Sequence, residues 1–129
     1  MIDLPVFSDA RGTLAVVEGN NQIDFDIARI FYMYDVADTS ERGGHTLRST
    51  HQVLIATSGS VTVYVDDGVV NDTIRLEHPH QALHIPPGVW RSMRDFSADS
   101  VLLVLASEPY DPADYIRDYA EYLAYKGPG

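Results

Sequence analysis

The amino-acid sequence predicts one all-β domain, a sandwich or small barrel, that ends in a short helix. The length of 129 residues suits a single domain, and no linker or repeat divides it. Short segments rich in β-branched and aromatic residues alternate with turn residues along most of the chain. Near the C terminus the spacing of apolar residues changes to three and four positions. We therefore treat residues 1–129 as a single domain.

The predicted strands are short and follow one another at similar spacing. They cover residues 12–18, 28–36, 51–57, 60–65, 73–76, 82–85, 89–93 and 101–106. Turn residues separate them, including Thr39-Ser40-Glu41 and Asp66-Asp67-Gly68. The two segments that meet at Ser58-Gly59 are interpreted as a β-hairpin. Many short strands at regular intervals are typical of a sandwich or small barrel.

The C-terminal segment predicts a helix over about residues 111–125. Asp111-Pro112 supplies an N-cap side chain followed by proline at the first helical position. The apolar side chains that then recur at helical spacing are Tyr115, Ile116, Tyr119, Tyr122 and Leu123. We expect this helix to pack on the outside of the barrel and to end near Gly127-Pro128-Gly129.

The charge balance argues against nucleic acid and anionic membranes as partners. Nine basic and 19 acidic residues leave a formal net charge of −10, which repels both. All the basic residues except Lys126 are arginines, whose planar guanidinium could hold a phosphorylated ligand. No apolar run approaches the roughly 20 residues that span a bilayer, and no secretory signal is recognised. Since cysteine is absent as well, we expect a cytoplasmic protein.

Two stretches of the sequence resemble the motifs of cupins, which are double-stranded jelly rolls. Gly44-His45-Thr46-Leu47 stands where the first motif has glycine and His-x-His, and Gln52 and Gly59 follow at that motif's spacing. Pro86-Pro87-Gly88-Val89-Trp90-Arg91 stands where the second motif has Pro-x-Gly-x-x-His. The resemblance implies a cupin double-stranded β-helix (jelly roll) with a short C-terminal α-helix.

The positions that bind metal in cupins do not carry a ligand set here. His45 keeps an imidazole, whereas Leu47 has no donor atom. Gln52 is a neutral amide, and Arg91 is a cation that repels a divalent ion. One imidazole does not hold Zn²⁺ or Fe²⁺, which bind three or four N, O or S donors. We predict that the protein has no metal site and uses no cofactor.

A narrower resemblance extends over nearly the whole chain. The segments that carry it are Asp9-Ala10-Arg11-Gly12, Arg29-Ile30-Phe31-Tyr32-Met33-Tyr34-Asp35-Val36, Arg42-Gly43-Gly44-His45, Gly88-Val89-Trp90-Arg91, Asp95-Phe96-Ser97, Val104-Leu105-Ala106-Ser107 and Asp114-Tyr115-Ile116-Arg117. Together they resemble the nucleotide-sugar 3,4-ketoisomerases, metal-free cupins that act on dTDP-4-keto-6-deoxyglucose. The resemblance implies an isomerase that moves a keto group between C4 and C3 of a dTDP-linked hexose. It also implies a homodimer with exchanged N-terminal strands.

This isomerisation requires a base for the C3 proton, an enediol(ate) intermediate and the return of a proton at C4. Histidine suits both transfers because its pKa lies near the working pH, and arginine or tyrosine can stabilise the oxyanion without a metal. We assign the general base to His45 and expect Tyr34 and Arg48 in the catalytic set. The residues expected to bind the substrate are Arg42, Arg91, Tyr32, Gln52, Trp90 and His84.

One position departs from the family's pattern. Leu47 replaces the second histidine of His-x-His, and alternation along a strand places it on the same face as His45. His45 could carry both transfers, with a water or tyrosine supplying the second proton, or His51 or His84 could take the role. The replacement leaves two other functions open. One is a dTDP-sugar epimerase or isomerase of altered stereochemistry, and the other is a catalytically silent module that binds a nucleotide sugar.

Overall fold

The protein, described by a computed structural model, consists of two five-stranded antiparallel sheets and a separate hairpin in its described part. The structure describes residues 1–37 and 41–127, so the turn predicted at Thr39-Ser40 lies outside the described residues. In chain order the described elements are β1 (Ile2–Asp3), β2 (Val6–Asp9), β3 (Gly12–Ala15), β4 (Arg29–Tyr34), β5 (Arg42–Leu47), β6 (Gln52–Ser58), β7 (Val61–Asp66), β8 (Asn71–Leu76), β9 (Gln81–Ile85), β10 (Trp90–Arg94), β11 (Val101–Ala106), β12 (Tyr115–Ile116) and α1 (Tyr119–Lys126). The predicted all-β fold with one short C-terminal α-helix is confirmed.

Pairing between strands distant in sequence builds both sheets. The first sheet has the order β1-β9-β6-β11-β4, and the second has the order β12-β5-β10-β7-β8. In the first sheet, Leu103 of β11 lies between Tyr32 of β4 and Ile55 of β6. The hairpin of β2 and β3 stands apart, with Val6 opposite Ala15. β4 is therefore an edge strand of the first sheet.

The main hydrophobic core fills the space between the two sheets. Its buried members come from both layers, including Leu54 of the first sheet and Val63 and Leu76 of the second. A second cluster covers the outer face of the first sheet, where Phe25 belongs to the same apolar group as Val53. Burying one such aliphatic side chain contributes about 1.5–3 kcal/mol. The two sheets are thus held as a jelly roll by apolar contacts on both faces of β6.

The chain crosses from one sheet to the other at Gly59, where we predicted a hairpin. β6 pairs within the first sheet and β7 within the second, so the two strands are not hydrogen-bonded neighbours. Gly59 has a φ of +67°, and a Cβ there would collide with Ser97 Oγ. Ser60 N–H donates to that Oγ at 2.9 Å, and Ser97 N–H donates to the Ser60 carbonyl at 2.9 Å. The hairpin prediction was wrong because the loop at Ser97, and not a partner strand, stabilises this corner.

The C-terminal segment differs from the single helix predicted over residues 111–125. A 3₁₀ turn covers Pro112–Asp114, an extended pair follows at Tyr115–Ile116, and the α-helix begins only at Tyr119. The extended pair forms because its backbone pairs antiparallel with Thr46–Leu47 of β5. This long-range ladder overrides the helical spacing of the apolar residues.

Helix α1 ends at the predicted glycine, Gly127, but its N-cap is Asp118, whereas the predicted N-cap Asp111 caps the 3₁₀ turn. The Asp118 carboxylate accepts a hydrogen bond from Ala120 N–H at 3.3 Å, as an N-cap side chain does. The helix is capped at Gly127, with a φ of +78°, and Pro128-Gly129 lie outside the described residues. Among the residues that the structure describes, no helix is long and apolar enough to cross a membrane.

Candidate active site

A cavity of about 340 Å³ lies in the barrel between the two sheets. Its polar wall is formed by Glu41, Arg42, His45, Gln52, Arg91, Tyr115 and Arg117. Its apolar wall is formed by Phe31, Met33, Leu54, Met93 and Val104. Three guanidinium groups and one carboxylate line this space, so the cavity is locally basic although the chain carries a net charge of −10.

Four of the residues predicted for the site meet in this cavity. They are His45, Arg42, Gln52 and Arg91. Two of them, His45 and Arg91, are direct partners in the β5–β10 ladder, next to a β-bulge that follows Arg91. Gly43 and Gly44 supply the positive φ values, +87° and +62°, that this irregular strand needs.

His45 presents a neutral imidazole to the cavity. Burial, followed by the nearby charge of Arg91, lowers the pKa of His45 from 6.5 to about 4. Its buried Nδ1 has no hydrogen-bond partner among the described residues. The ring centroid of Tyr115 lies 5.0 Å from that of His45. A neutral imidazole of this kind has a lone pair available to accept a proton.

Arg91 is a fully buried cation held in one position. Its Nη1 donates to Gln52 Oε1 at 2.6 Å, and its Nε and Nη2 both donate to the Val89 carbonyl at 3.2 Å. Burial lowers the pKa of Arg91 to about 10, so the group stays charged near neutral pH. In the described part of the chain no carboxylate forms a salt bridge with it. A buried, unpaired cation beside a cavity is suited to an anionic group on a ligand.

Gln52 supports Arg91 and keeps a donor free. Its side chain is buried, and while Oε1 accepts from Arg91, Nε2 has no partner within the described residues. A buried amide N–H without an acceptor costs free energy, which a hydrogen bond to a ligand in the cavity would recover.

Tyr115 and Arg117 belong to this cavity, although both lie within the helix predicted over about residues 111–125. The Tyr115 hydroxyl accepts a hydrogen bond from Arg29 Nη2 at 3.3 Å. The Arg117 guanidinium carbon lies 4.4 Å from the Tyr115 ring centroid. The signal that could have found them is the alternation in this segment, since the buried residues Asp114 and Ile116 alternate with the two cavity residues.

Asp114 attaches this segment to the loop after β5. Its carboxylate accepts from Ser49 N–H and Ser49 O–H, each at 2.8 Å, and from Thr50 O–H at 2.5 Å. Burial raises the pKa of Asp114, but the hydrogen bonds from Thr50 and Ser49 outweigh it and the pKa lies below its ordinary value. The anchored carboxylate therefore fixes the position of the neighbouring Tyr115.

Leu47 lies next to Tyr115 and is fully buried. The two residues are Cα partners in the β5–β12 ladder. Leu47 is also two positions from His45 on β5, which is the same face of a regular strand. An isobutyl group therefore stands opposite Tyr115 on β5, at the position where the resemblance implies a second imidazole.

Three of the predicted site residues lie elsewhere on the same two sheets. Tyr32 and Tyr34 are 61% exposed, because alternation along β4 turns them outward while Phe31 and Met33 turn into the cavity. Trp90 is buried outside the cavity and packs on the aromatic rings of the C-terminal helix. The structure does not bring these three side chains to the cavity.

Arg48 holds the C-terminal segment in place from outside the cavity. Its Nη1 donates to the Ala113 carbonyl at 2.8 Å and to the Tyr115 carbonyl at 3.3 Å. Its Nη2 lies 3.8 Å from a carboxylate oxygen of Glu121 at the surface. The contacts of Arg48 thus position the backbone of β12 and do not reach the cavity wall.

His84 pairs with His51 on the outer side of the first sheet. His51 Nδ1 and His84 Nε2 are 2.9 Å apart, and Phe25 stacks on His51 with ring centroids 5.7 Å apart. Burial, followed by the charge of His51, lowers the pKa of His84. Since Gln52 turns into the cavity, His51 turns away from it, because neighbouring residues on a strand face opposite sides. Neither histidine is in place to substitute for the residue missing at position 47.

In the part of the chain that the structure describes, no group of three or more His, Cys, Asp or Glu side chains could hold a metal ion. The cavity offers one imidazole, one carboxylate and three guanidinium groups. Such a set favours an anionic ligand over a divalent cation.

Known proteins resemble this chain over nearly its whole length. Residues 1–127 match the family described as FdtA: WxcM-like, C-terminal. The TDP-4-oxo-6-deoxy-alpha-D-glucose-3,4-oxoisomerase of Aneurinibacillus thermoaerophilus is 40% identical over 125 residues, which are 97% of this chain and 90% of that protein.

Two solved structures share the fold closely. A 3,4-ketoisomerase from Helicobacter canadensis has a TM-score of 0.95 and 38% identity, covering 98% of this chain and 96% of that chain. QdtA, a sugar 3,4-ketoisomerase from Thermoanaerobacterium thermosaccharolyticum in complex with TDP, has a TM-score of 0.95 and 42% identity, covering 97% of this chain and 91% of that chain.

Proposed function

We propose, from the premise that this chain belongs to the FdtA (WxcM-like, C-terminal) family, that it is an isomerase acting on a dTDP-linked 4-keto-6-deoxyhexose. It moves the keto group between C4 and C3. Relatives named as TDP-sugar isomerases, one of them crystallised with TDP, support this substrate class. The observation that carries the proposal is the neutral imidazole of His45 in a basic cavity, beside the buried guanidinium of Arg91, which has no carboxylate partner in the described part of the chain.

His45 is proposed to remove the C3 proton. Its lowered pKa of about 4 keeps the imidazole unprotonated near neutral pH, so that it can accept a proton at once. Charge develops on the C4 oxygen as the C3–H bond breaks. A guanidinium already oriented by Gln52 and Val89 stabilises that charge without reorganisation, which is the role we propose for Arg91.

The remaining cations of the cavity suit the diphosphate. Arg42 and Arg117 line the same space as Arg91, and guanidinium groups bind phosphate oxygens through paired hydrogen bonds. Gln52 Nε2, unpartnered among the described residues, is a donor for a sugar hydroxyl or keto oxygen. The chemistry needs no metal, and we propose that the enzyme is metal-free and uses no cofactor.

Five residues predicted from the sequence have other surroundings, and their roles in the site stay predictions. Arg48 acts through the backbone of β12, and Trp90 and His84 lie outside the cavity. Tyr32 and Tyr34 are exposed on β4, where a second subunit could cover them.

We propose that the protein is a cytoplasmic homodimer with exchanged N-terminal strands and binds neither nucleic acid nor membrane. The β2–β3 hairpin pairs with no other strand in the described part, yet it exposes 64% of Phe7 and 56% of Leu14. The edge strand β4 exposes Tyr32 and Tyr34. An exposed apolar hairpin and an exposed aromatic sheet edge are complementary surfaces, and pairing them between two copies covers both.

The experiment compares the parent with His45→Asn on dTDP-4-keto-6-deoxyglucose. We expect the variant to lose turnover by about 10²–10⁴-fold, because asparagine keeps hydrogen-bonding capacity but takes up no proton. Its affinity for dTDP, measured by calorimetry, should stay close to that of the parent. His78→Asn makes the same change at an exposed loop histidine and is the matched control. Equal turnover in parent and His45→Asn would contradict the role of His45.

Leu47 supports a second candidate function, a binding module without activity. Its buried isobutyl group can neither donate nor accept a proton. The same assay distinguishes the candidates, since a silent module binds dTDP with no turnover of the keto sugar. An epimerase of altered stereochemistry would exchange a sugar proton with solvent without forming a 3-keto product.

A further inference from the structure

We infer that the Tyr115 hydroxyl is the second proton-transfer group of this site and replaces the imidazole that Leu47 does not provide. This inference rests on the proposed isomerase function. It assigns a catalytic role to a residue for which the sequence predicted no role in the site.

The first argument is position. Tyr115 is the Cα partner of Leu47 across the β5–β12 ladder, and directly opposed side chains in such a ladder lie about 4.5–5.5 Å apart at Cβ. Tyr115 lines the cavity, and its ring centroid is 5.0 Å from that of His45. The phenol therefore extends into the cavity from the position adjacent to the lost imidazole.

The second argument is charge. Arg29 Nη2 donates a hydrogen bond to the Tyr115 hydroxyl at 3.3 Å, and the Arg117 guanidinium lies 4.4 Å from the ring centroid. Two cations beside one phenol stabilise the phenolate that remains after the proton has been given away. The Arg29 hydrogen bond occupies an oxygen lone pair and leaves the O–H hydrogen free to point into the cavity.

The third argument is where the other candidate proton-transfer groups lie. His51 and His84 form a pair on the far side of the first sheet, and Tyr34 is turned outward on β4. Among the described residues that line the cavity, the other candidate proton-transfer groups are His45 and Glu41. Glu41 is exposed and precedes β5, whereas Tyr115 is packed against His45.

His45 and Tyr115 together complete the reaction, and neither side chain undergoes a net change of protonation state. His45 takes the proton from C3, the C3–H electron pair forms the C3=C4 bond, and the C4=O π pair takes the proton that Tyr115 donates to O4. In the return step the phenolate takes the O3 proton, and the O3–H pair forms the C3=O bond. The C3=C4 pair then takes the proton from His45 at C4. Both side chains end in their starting protonation states.

The first test is Tyr115→Phe, which keeps the ring and removes only the hydroxyl. We expect kcat to fall by about 10²–10⁴-fold while the dissociation constant for dTDP changes by less than about twofold. Tyr110→Phe is the matched control, because that ring lies 5.6 Å from Tyr115 and its side chain is mostly exposed. It should keep the parent turnover.

The second test restores the imidazole. Adding Leu47→His to Tyr115→Phe should raise kcat at least about tenfold above that of Tyr115→Phe. Leu47→His alone should raise the kcat of the parent by a smaller factor. Thermal unfolding of each variant checks that the fold is kept. If the added histidine prevents folding, Tyr115→His offers an imidazole from the neighbouring strand and should retain more activity than Tyr115→Phe.

The outcomes separate this inference from the function on which it rests. An active parent with an equally active Tyr115→Phe would overturn the role of Tyr115 and leave the isomerase function intact. A large loss of kcat in Glu41→Gln, with no loss in Tyr115→Phe, would also overturn the role of Tyr115. A parent that binds dTDP but does not convert the keto sugar would overturn both.

Discussion

At the scale of single residues, the chemistry of the site follows from placing an imidazole beside a buried guanidinium. His45 and Arg91 are opposed in adjacent strands, so any proton on His45 would face a fixed positive charge. Arg91 is held by a neutral amide and a carbonyl, and no carboxylate of residues 1–37 and 41–127 pairs with it, which leaves its charge available to a ligand. The pair is therefore arranged for an anionic substrate that loses a proton.

His45 makes the stability of the fold depend on pH. Because its pKa is lowered from 6.5 to about 4, the folded protein binds this proton less readily than the unfolded chain does. The stability that the neutral His45 imidazole contributes to the fold is fully present above pH 6.5 and is lost as the pH falls towards about 4. The lost free energy of unfolding is on the order of 3 kcal/mol.

Urea unfolding of the parent and His45→Asn over this pH range measures the effect. The two proteins share every carboxylate, so the difference between their curves isolates His45. We expect the advantage of the parent to shrink as the pH falls from 6.5 to about 4. Parallel curves would show that His45 titrates normally.

Arg91→Met should lower turnover of the keto sugar without unfolding the protein, because the charge that develops on the C4 oxygen loses its guanidinium partner. Losing a charge-assisted contact costs about 1.5–3 kcal/mol of transition-state stabilisation, or about 10–150-fold in kcat/KM. Removing a buried charge relieves its desolvation cost but leaves Gln52 Oε1 without its donor, so stability should change by only about 1–2 kcal/mol. Arg94→Met, at an exposed position on the same strand, is the control. Unchanged kcat/KM in Arg91→Met would show that another group stabilises the C4 oxygen.

At the scale of secondary-structure elements, β12 connects the C-terminal helix to the site. Asp114 and Arg48 fix its backbone on either side of Tyr115. Helix α1 is fixed through Tyr122, whose buried hydroxyl lies 2.7 Å from the Gly88 carbonyl and 2.9 Å from the Asp66 carbonyl. The Tyr122 hydroxyl thus joins the helix to the end of β7 and to the turn before β10.

Tyr122→Phe should lower the free energy of unfolding by about 1–3 kcal/mol, since two buried carbonyls lose their shared donor. Tyr125→Phe removes a hydroxyl from an exposed position on the same helix and should change stability by less than about 0.5 kcal/mol. Chemical denaturation of both variants measures the difference. Equal stability would mean that backbone and apolar contacts alone attach the helix.

Most strands could be predicted because their sequence signal is local. The extended pair at Tyr115–Ile116 and the corner at Gly59 could not be predicted in this way. The spacing of apolar residues and the turn residues between them predicted the bounds of most strands from β3 to β11 within a few positions. The ladder that makes Tyr115–Ile116 extended depends on Thr46–Leu47, far away in sequence. The corner at Gly59 likewise depends on which sheet each flanking strand joins. Both features are set by long-range pairing, which a local pattern does not contain.

The site was predictable only where motif spacing located it. His45, Gln52 and Arg91 stand at motif positions, and the structure brings all three to the cavity. Tyr32 and Tyr34 alternate with Phe31 and Met33, and the sequence alone does not say which pair faces inward. Tyr115 was missed because its segment also fits a helical stripe.

At the scale of the whole molecule, a basic cavity lies in an acidic protein with an exposed aromatic edge. The charge of −10 opposes polyanions in general, whereas three arginines create a local site for one small anion. Phe7 and Leu14 on the hairpin and Tyr32 and Tyr34 on β4 remain open to a second copy.

Phe7→Ser combined with Leu14→Ser should shift the protein from dimer to monomer. The two side chains are 64% and 56% exposed, so the substitutions remove apolar surface from the proposed interface and little from the core. Val69→Ser, at a position 79% exposed between β7 and β8, is the control and should stay dimeric. Sedimentation velocity measures the masses. A monomeric parent, or a double variant as dimeric as the parent, would contradict the exchanged-strand assembly.

The central claim, that this cavity moves a keto group between C4 and C3, is tested most directly by following the sugar itself. The parent is incubated with dTDP-4-keto-6-deoxyglucose in D₂O and the sugar is monitored by NMR spectroscopy. The account predicts that the C3 proton signal disappears while a 3-keto product accumulates, and that His45→Asn shows neither change. A parent that binds the nucleotide sugar yet leaves its C3 proton and C4 keto group unaltered would contradict the account.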